Sequence, residues 1–203
     1  MNLPNKLTIL RIILIPVFVV LLLANFGTML EKDIARYLAI GVFVVASLTD
    51  FLDGYIARKH KLVTNFGIFM DPIADKLLVS AALVAMVELG LLPAWVVILV
   101  ISREFVISGL RLIASNQGVV LAASKWGKMK TVTQMMMIIF VLFNMGKDVL
   151  GNGIALQPFA DISDVFNYFC EILMYLSAVL TVVSAVDYIV KNRHVLTGKP
   201  KVN

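Results

Sequence analysis

The sequence predicts an all-α, polytopic membrane protein, a bundle of about six transmembrane helices. Three observations predict it. Hydrophobic residues make up 60% of the 203-residue chain and charged residues only 15%, whereas soluble domains carry roughly 25% charged residues. The mean hydropathy is +0.93. The apolar residues also gather into runs near the ~20 residues that a helical span needs, joined by short polar connections.

Residues 1–6 form an interfacial start, with Pro4 suited to the first turn of a short helix. The first span covers about Leu7–Ala24. Its apolar run is too long for a signal-peptide core and no small-residue cleavage site follows, so it is expected to be retained. Asn5, Thr8 and Arg11 recur every third residue as a polar stripe at its start, which suits either headgroup anchoring or a substrate role. A charged connection at Glu31–Arg36 leads to a second span at about Tyr37–Asp53, whose helix extends toward Arg58. Lys59–Phe66 is a connection, and a third helix covers Ile68–Leu89 with Pro72 in its first turn.

Gly90–Pro93 is a tight turn before a fourth span at Ala94–Ser115, which contains Arg103, Glu104 and Arg111. Asn116–Ala123 is a loop with Gly118, and the basic stretch SKWGKMKT (Ser124–Thr131) enters a fifth span ending near Met145. Gly146–Asp164 is the longest connection, bent at Gly151-Asn152-Gly153. A sixth span covers Val165–Val190, and residues 191–203 form a basic tail. The whole of 1–203 reads as a single transmembrane domain.

Charge orients the bundle. Connections after the first, third and fifth spans carry Lys32, Arg36 and Lys147. The opposite side carries Lys6, the Arg58–Lys61 group, the lysines of Ser124–Thr131 and the basic tail. The positive-inside rule therefore predicts a multi-pass protein of the cell membrane with both termini cytoplasmic. The net charge of +5 sits beside apolar spans rather than along a soluble face, which argues against a nucleic-acid partner. A single cysteine, Cys170, excludes an internal disulfide and reads as a packing residue. His60 and His194 lack the neighbouring ligands of a zinc site.

Four acids stand out in this apolar chain. Asp50 and Asp53 are spaced i, i+3, and Asp71 and Asp75 are spaced i, i+4. Either spacing puts two carboxylates roughly 40–60° apart on one helical face. Each acid at mid-bilayer costs ~2.5–3.5 kcal/mol on insertion scales, so the four require a compensating cation or partner. Two helices that each present a carboxylate pair suit hard divalent cations, and Mg²⁺ commonly joins carboxylates to phosphates. The pairs fall on the side predicted to be cytoplasmic.

The spacing is more specific than the acids alone. Asp50-x-x-Asp53-Gly54-x-x-Ala57-Arg58, eight residues, then Gly67-x-x-x-Asp71-x-x-x-Asp75 resembles the signature of the CDP-alcohol phosphotransferases, membrane enzymes of phospholipid synthesis. The resemblance implies that Asp50, Asp53, Asp71 and Asp75 hold metal, two Mg²⁺ ions with Mn²⁺ as a substitute, and that Asp75 is also the catalytic base. It implies a CDP-lipid site at Asn5, Thr8, Arg11, Gly54, Ala57, Arg58 and Gly67, although small-residue helix packing also accounts for Gly54, Ala57 and Gly67.

SREFVISGLR (Ser102–Arg111), SKWGKMKTVTQ (Ser124–Gln134), the opening NLPNKLTILRI and FMDPIADKLLVSAAL are similar to one branch of that family. That branch transfers a phosphatidyl group from CDP-diacylglycerol to sn-glycerol 3-phosphate, releasing CMP. Family members are commonly homodimers in the lipid bilayer, which the resemblance implies here too. Arg103, Arg111, Lys125, Lys128 and Lys130 would form the acceptor-phosphate pocket, with positive-inside anchoring as the competing account of Lys125 and Lys128. Arg103 lies inside an apolar segment and needs an anion, and the adjacent Glu104 points about 100° away, an imperfect partner. The rival readings are a family member with another acceptor, such as a cardiolipin or phosphatidylinositol-phosphate synthase, a membrane prenyltransferase and, from a different class, a cation transporter.

Overall fold

Six helices occupy the predicted segments among the described residues: α1 (Leu3–Leu23), α2 (Lys32–His60), α3 (Asn65–Glu88), α4 (Ala94–Asn116), α5 (Lys125–Met145) and α6 (Ala160–Lys191). They come from a computed structural model that describes residues 3–23, 32–60, 65–119, 121–122, 124–145 and 160–193. Side chains within those helices are described except at 3–4, 32–33, 50–60, 65–69, 71–72, 144–145 and 160–164. The expected bend at Gly151–Gly153 and the tail beyond Arg193 lie outside the described residues. No strand occurs among the described residues.

The helices overrun the apolar runs. α2 starts at Lys32 rather than Tyr37, and α6 at Ala160 rather than Val165. Hydropathy marks where lipid contact begins, whereas a helix continues into any polar residues that keep its hydrogen bonds, and Lys, Arg and Ala are good helix formers. Pro72 is corrected as well: α3 begins at Asn65, so Pro72 stands in the helix interior, where its ring removes one i→i−4 bond. α1 is continuous from Leu3, so its start is not a separate short helix. Asn5–Leu23 and Val165–Lys191 are long and apolar enough to cross a membrane, and Ile34–Thr49 is a shorter apolar helix.

The chain divides into two compact units, residues 1–92 with 139–158, and residues 93–138 with 159–203. In the first, α1 packs against α2 and α3. The buried residues Thr8, Arg11, Phe18 and Leu22, with the half-buried Ile15, recur every three or four residues along α1. That 3.5-residue period is a coiled-coil-like seam. On α2 the facing surface is mostly small, with Ala35, Ala39 and Ala46 buried around Phe43. Small residues let the backbones approach closely. Phe43 and Phe18 meet with ring centroids 5.5 Å apart.

In the second unit α4 packs against α6. Trp95 meets Tyr175 at 6.4 Å between centroids, and farther along, Arg111 meets Tyr188. Residue numbers therefore rise together along both helices, and α4 and α6 run parallel. The α6 core face, Cys170, Leu173, Met174, Ser177, Ala178, Thr181, Ser184 and Tyr188, follows the i, i+3, i+4, i+7 pattern. Two of its buried hydroxyls bond back to their own helix, Thr181 Oγ1 to the Ser177 carbonyl (2.7 Å) and Ser184 Oγ to the Thr181 carbonyl (3.0 Å). The methionine run splits by face: Met137 is buried and Met136 exposed.

Two helix ends are set by glycine. Gly90 (φ 70°) and Gly118 (φ 72°) adopt the left-handed conformation that side-chain-bearing residues resist. After α3, Leu91 N–H bonds to the Met86 carbonyl (2.9 Å) and Gly90 N–H to the Val87 carbonyl (3.0 Å). After α4, Val119 N–H bonds to the Ala114 carbonyl (2.8 Å) and Gly118 N–H to the Ser115 carbonyl (3.0 Å). Both are Schellman motifs, which satisfy the last helical carbonyls. Gly90→Ala should lower stability by about 1 kcal/mol. Gly41→Ala, within α2 with open space around its Cβ position, should leave stability unchanged or raise it by up to about 1 kcal/mol. Thermal melting in detergent checks both.

Candidate active site

The acid-bearing motif is helical throughout its two halves. Asp50 and Asp53 stand in α2, two to three turns before its end at His60, and Asp71 and Asp75 stand in the first three turns of α3. Each pair thus keeps its helical spacing, and α2 and α3 pack against each other in the first unit. The spacing of Ala39, Phe43 and Ala46 continues in sequence through Asp50, Asp53 and Ala57, and that of Ala74 and Leu78 runs back to Asp71. The side chains of Asp50, Asp53, Gly54, Ala57, Arg58, Gly67 and Asp71 lie outside the described residues. Asp75 is described and is exposed. Among the described residues no group of three or more His, Cys, Asp or Glu gathers. As a donor set, four carboxylates on two packed helices fit hard, oxygen-seeking Mg²⁺ rather than a softer metal.

The polar stripe on α1 is buried. Asn5 and Thr8 are enclosed, and Arg11 has 0% of its surface exposed. Headgroup anchoring, one of the two sequence readings, does not describe enclosed side chains. A buried guanidinium requires anionic company, and the two helices against which α1 packs, α2 and α3, carry the four aspartates.

The second unit holds the other candidates. Arg103 Nη1 donates to Glu104 Oε1 at 2.9 Å, and Lys130 Nζ reaches the same oxygen from α5 at 2.5 Å. Arg103 and Glu104 keep 11% and 26% of their side chains exposed, and Lys130 only 2%. Glu104 is therefore a direct partner of Arg103, despite the 100° between adjacent helical positions. Long side chains reach around that angle, and Lys130 fixes the carboxylate from the other helix. The group sums to +1, two cations less one anion. Arg103 Nε is buried without a hydrogen-bond partner.

The start of α5 lies beside this group. A Cβ at Gly127 would sit 3.4 Å from Arg103 Nη2 and 3.6 Å from Ser124 Oγ, ordinary contact distances that place the guanidinium beside the first turn. Ser124 Oγ accepts from Gly127 N–H at 3.1 Å, an N-cap. No acid occurs in that first turn, while Lys125 and Lys128 are exposed there. Cations at the positive end of a helix are unfavourable, by roughly 0.3–1 kcal/mol each, and the same end attracts anions.

The five basic candidates therefore separate into three settings. Arg103 and Lys130 share Glu104, Lys125 and Lys128 stand exposed on α5, and Arg111 is exposed on α4 against α6. Arg111 Nε donates to Tyr188 Oη at 3.2 Å, with its guanidinium carbon 5.6 Å from that ring's centre. Tyr188 is itself buried with Ile107 and Leu110. Sequence reasoning missed Tyr188, because nothing in the local pattern of α6 marks it, and undervalued Glu104. Asp187 of α6 pairs with Lys191 at 2.5 Å one turn on. Tyr188→Phe, which keeps the ring but removes the acceptor, should lower stability by about 1 kcal/mol in thermal melting.

Comparison with known proteins supplies what geometry alone does not. Residues 1–183 match the family model described as CDP-alcohol phosphatidyltransferase. The chain is 43% identical over 198 residues to the Bacillus subtilis CDP-diacylglycerol–glycerol-3-phosphate 3-phosphatidyltransferase, covering 94% of this chain and 95% of that one. It is 38% identical over 188 residues to the Rickettsia typhi protein of the same name (92% and 94% covered). A Mycobacterium tuberculosis probable phosphatidylglycerophosphate synthase is 36% identical over 190 residues (94% and 81% covered). The chain belongs to the CDP-alcohol phosphatidyltransferase family.

Proposed function

We propose that this family member transfers the phosphatidyl group of CDP-diacylglycerol to sn-glycerol 3-phosphate, giving phosphatidylglycerophosphate and CMP. The relatives' names support the substrate pair. The observation that carries the acceptor assignment is the net-positive Arg103–Glu104–Lys130 group, with its unpartnered Arg103 Nε, beside a basic helix start. Such a group suits a phosphomonoester better than an uncharged alcohol.

In the reaction, an acceptor hydroxyl oxygen bonds to the lipid-side phosphorus, the bond from that phosphorus to the bridging diphosphate oxygen breaks, and CMP leaves carrying the bridging oxygen. Asp75 takes the hydroxyl proton as general base. Asp50, Asp53, Asp71 and Asp75 would hold Mg²⁺, two ions in our reading, which when bound neutralises the diphosphate and stabilises the leaving phosphate. Arg58 pairs with a donor phosphate. Gly54, Ala57 and Gly67 leave room for the nucleotide, and Asn5, Thr8 and Arg11 line its side of α1. Arg103 and Lys130 bind the acceptor phosphate, with Arg111, Lys125 and Lys128 adding positive field.

The protein in this reading is a single catalytic domain of 1–203 with six spans, embedded in the cell membrane as a homodimer. The chemistry and both termini face the cytoplasm. The parallel course of α4 and α6 agrees with an alternating path through the membrane, since the fourth and sixth spans must run the same way.

CMP release by detergent-purified protein tests the reading. With CDP-diacylglycerol and Mg²⁺, release should require glycerol 3-phosphate and should not occur with serine, inositol phosphate or phosphatidylglycerol in its place. EDTA should abolish it and added Mg²⁺ restore it. Release with a different acceptor would overturn the acceptor assignment, and none with any acceptor, from folded protein, would return the cation-transporter reading. Asp75→Asn should cut turnover by at least about 100-fold while leaving CDP-diacylglycerol binding intact. Near-normal CMP release by that variant would remove Asp75 from the role of base. Arg103→Ala should raise KM for glycerol 3-phosphate about tenfold or more with little change in KM for the CDP-lipid.

A further inference from the structure

Glu104 is an acid in a site proposed to bind an anion, and its place there needs an account. Its Oε1 takes two charged donors at once, one from its own helix and one from α5. Both donors are largely withdrawn from water, Arg103 at 11% and Lys130 at 2% exposure. Two cations aimed at one point repel each other unless an anion stands between them. With the carboxylate present, the guanidinium and the ammonium are fixed relative to each other before any ligand arrives. Arg103 keeps Nε unspent.

We propose that Glu104 is a positioning residue for the acceptor: its carboxylate oxygen holds Arg103 and Lys130 in one fixed arrangement that receives the acceptor's phosphate. This rests on the acceptor-pocket reading above. Glu104 does not touch the acceptor. It acts through the two cations, and its own charge is more than balanced by them, so a phosphate meets a net-positive group whose donors need no reorganisation.

The alternative is that Glu104 only repels the phosphate and is retained to keep Lys130 soluble in the fold. The two accounts predict opposite signs. Glu104→Gln keeps the shape but not the charge. If Glu104 positions the cations, KM for glycerol 3-phosphate rises at least about tenfold, while KM for CDP-diacylglycerol and kcat change less than about threefold. Glu104→Asp, which retains the charge, gives a KM between wild type and Glu104→Gln. Because the effect runs through Lys130, Glu104→Gln with Lys130→Gln raises KM by less than the product of the two single changes.

A lower KM in Glu104→Gln, equal losses toward both substrates, or a fully multiplicative double variant would overturn the proposal. Should Glu104→Gln fail to fold, as judged by melting in detergent, Glu104→Asp and the neutral double variant carry the same test. Arg103→Ala and Lys130→Gln measured alongside separate the two levels. If they raise KM for glycerol 3-phosphate and Glu104→Gln does not, only the role of Glu104 falls. If they leave it unchanged, the acceptor pocket falls and the positioning role with it.

Discussion

A buried charge in this apolar chain needs a polar partner, and among the described residues that constraint shapes the packing. Lys130 is the clearest case. An ammonium with 2% of its surface exposed loses nearly all its hydration, and Glu104, bonded at 2.5 Å, replaces it. Arg103 joins the same oxygen, so one carboxylate ties α4 to α5 and fixes where the first turn of α5 lies. Arg111 makes the second tie in that unit, leaning on Tyr188 of α6 with both a hydrogen bond and its face. Apolar helix faces do little to distinguish one packing from another, so polar ties of this kind and close small-residue contacts set the arrangement.

In the first unit the same constraint acts through the enclosed Arg11. The seam that buries it recurs every three or four residues through Phe18 and Leu22, and the alanines of α2 bring the helices close. A guanidinium enclosed in this way calls for a compensating anion. In the second unit Arg103, Glu104 and Lys130 together carry a residual +1, and Arg103 Nε is buried without a hydrogen-bond partner.

Much of the chain was legible in advance. Helix positions followed from apolar runs, because burying or lipid-facing a helix demands a long apolar stretch. The ends of α3 and α4 followed from Gly90 and Gly118, whose positive φ angles let the chain turn. α2 and α6 extend beyond the apolar spans at their starts, since a helix continues past its apolar stretch as long as its hydrogen bonds are kept. Pro72 was misplaced for the same reason, as α3 begins in the less apolar residues before Ile68.

The sequence by itself determined the all-helical class, the carboxylate pairs at Asp50, Asp53, Asp71 and Asp75, and the family, because these rest on composition and on fixed local spacing. Only the tertiary structure decided which basic residues act together. Lys125, Lys128 and Lys130 are indistinguishable along the chain, yet Lys130 is enclosed against Glu104 while its neighbours remain exposed. Tyr188 is 77 residues from Arg111 and meets it only because α4 and α6 run parallel and in contact. The partner of a charge lies wherever packing brings an opposite charge or a lone pair, and that is a property of the folded arrangement rather than of local pattern.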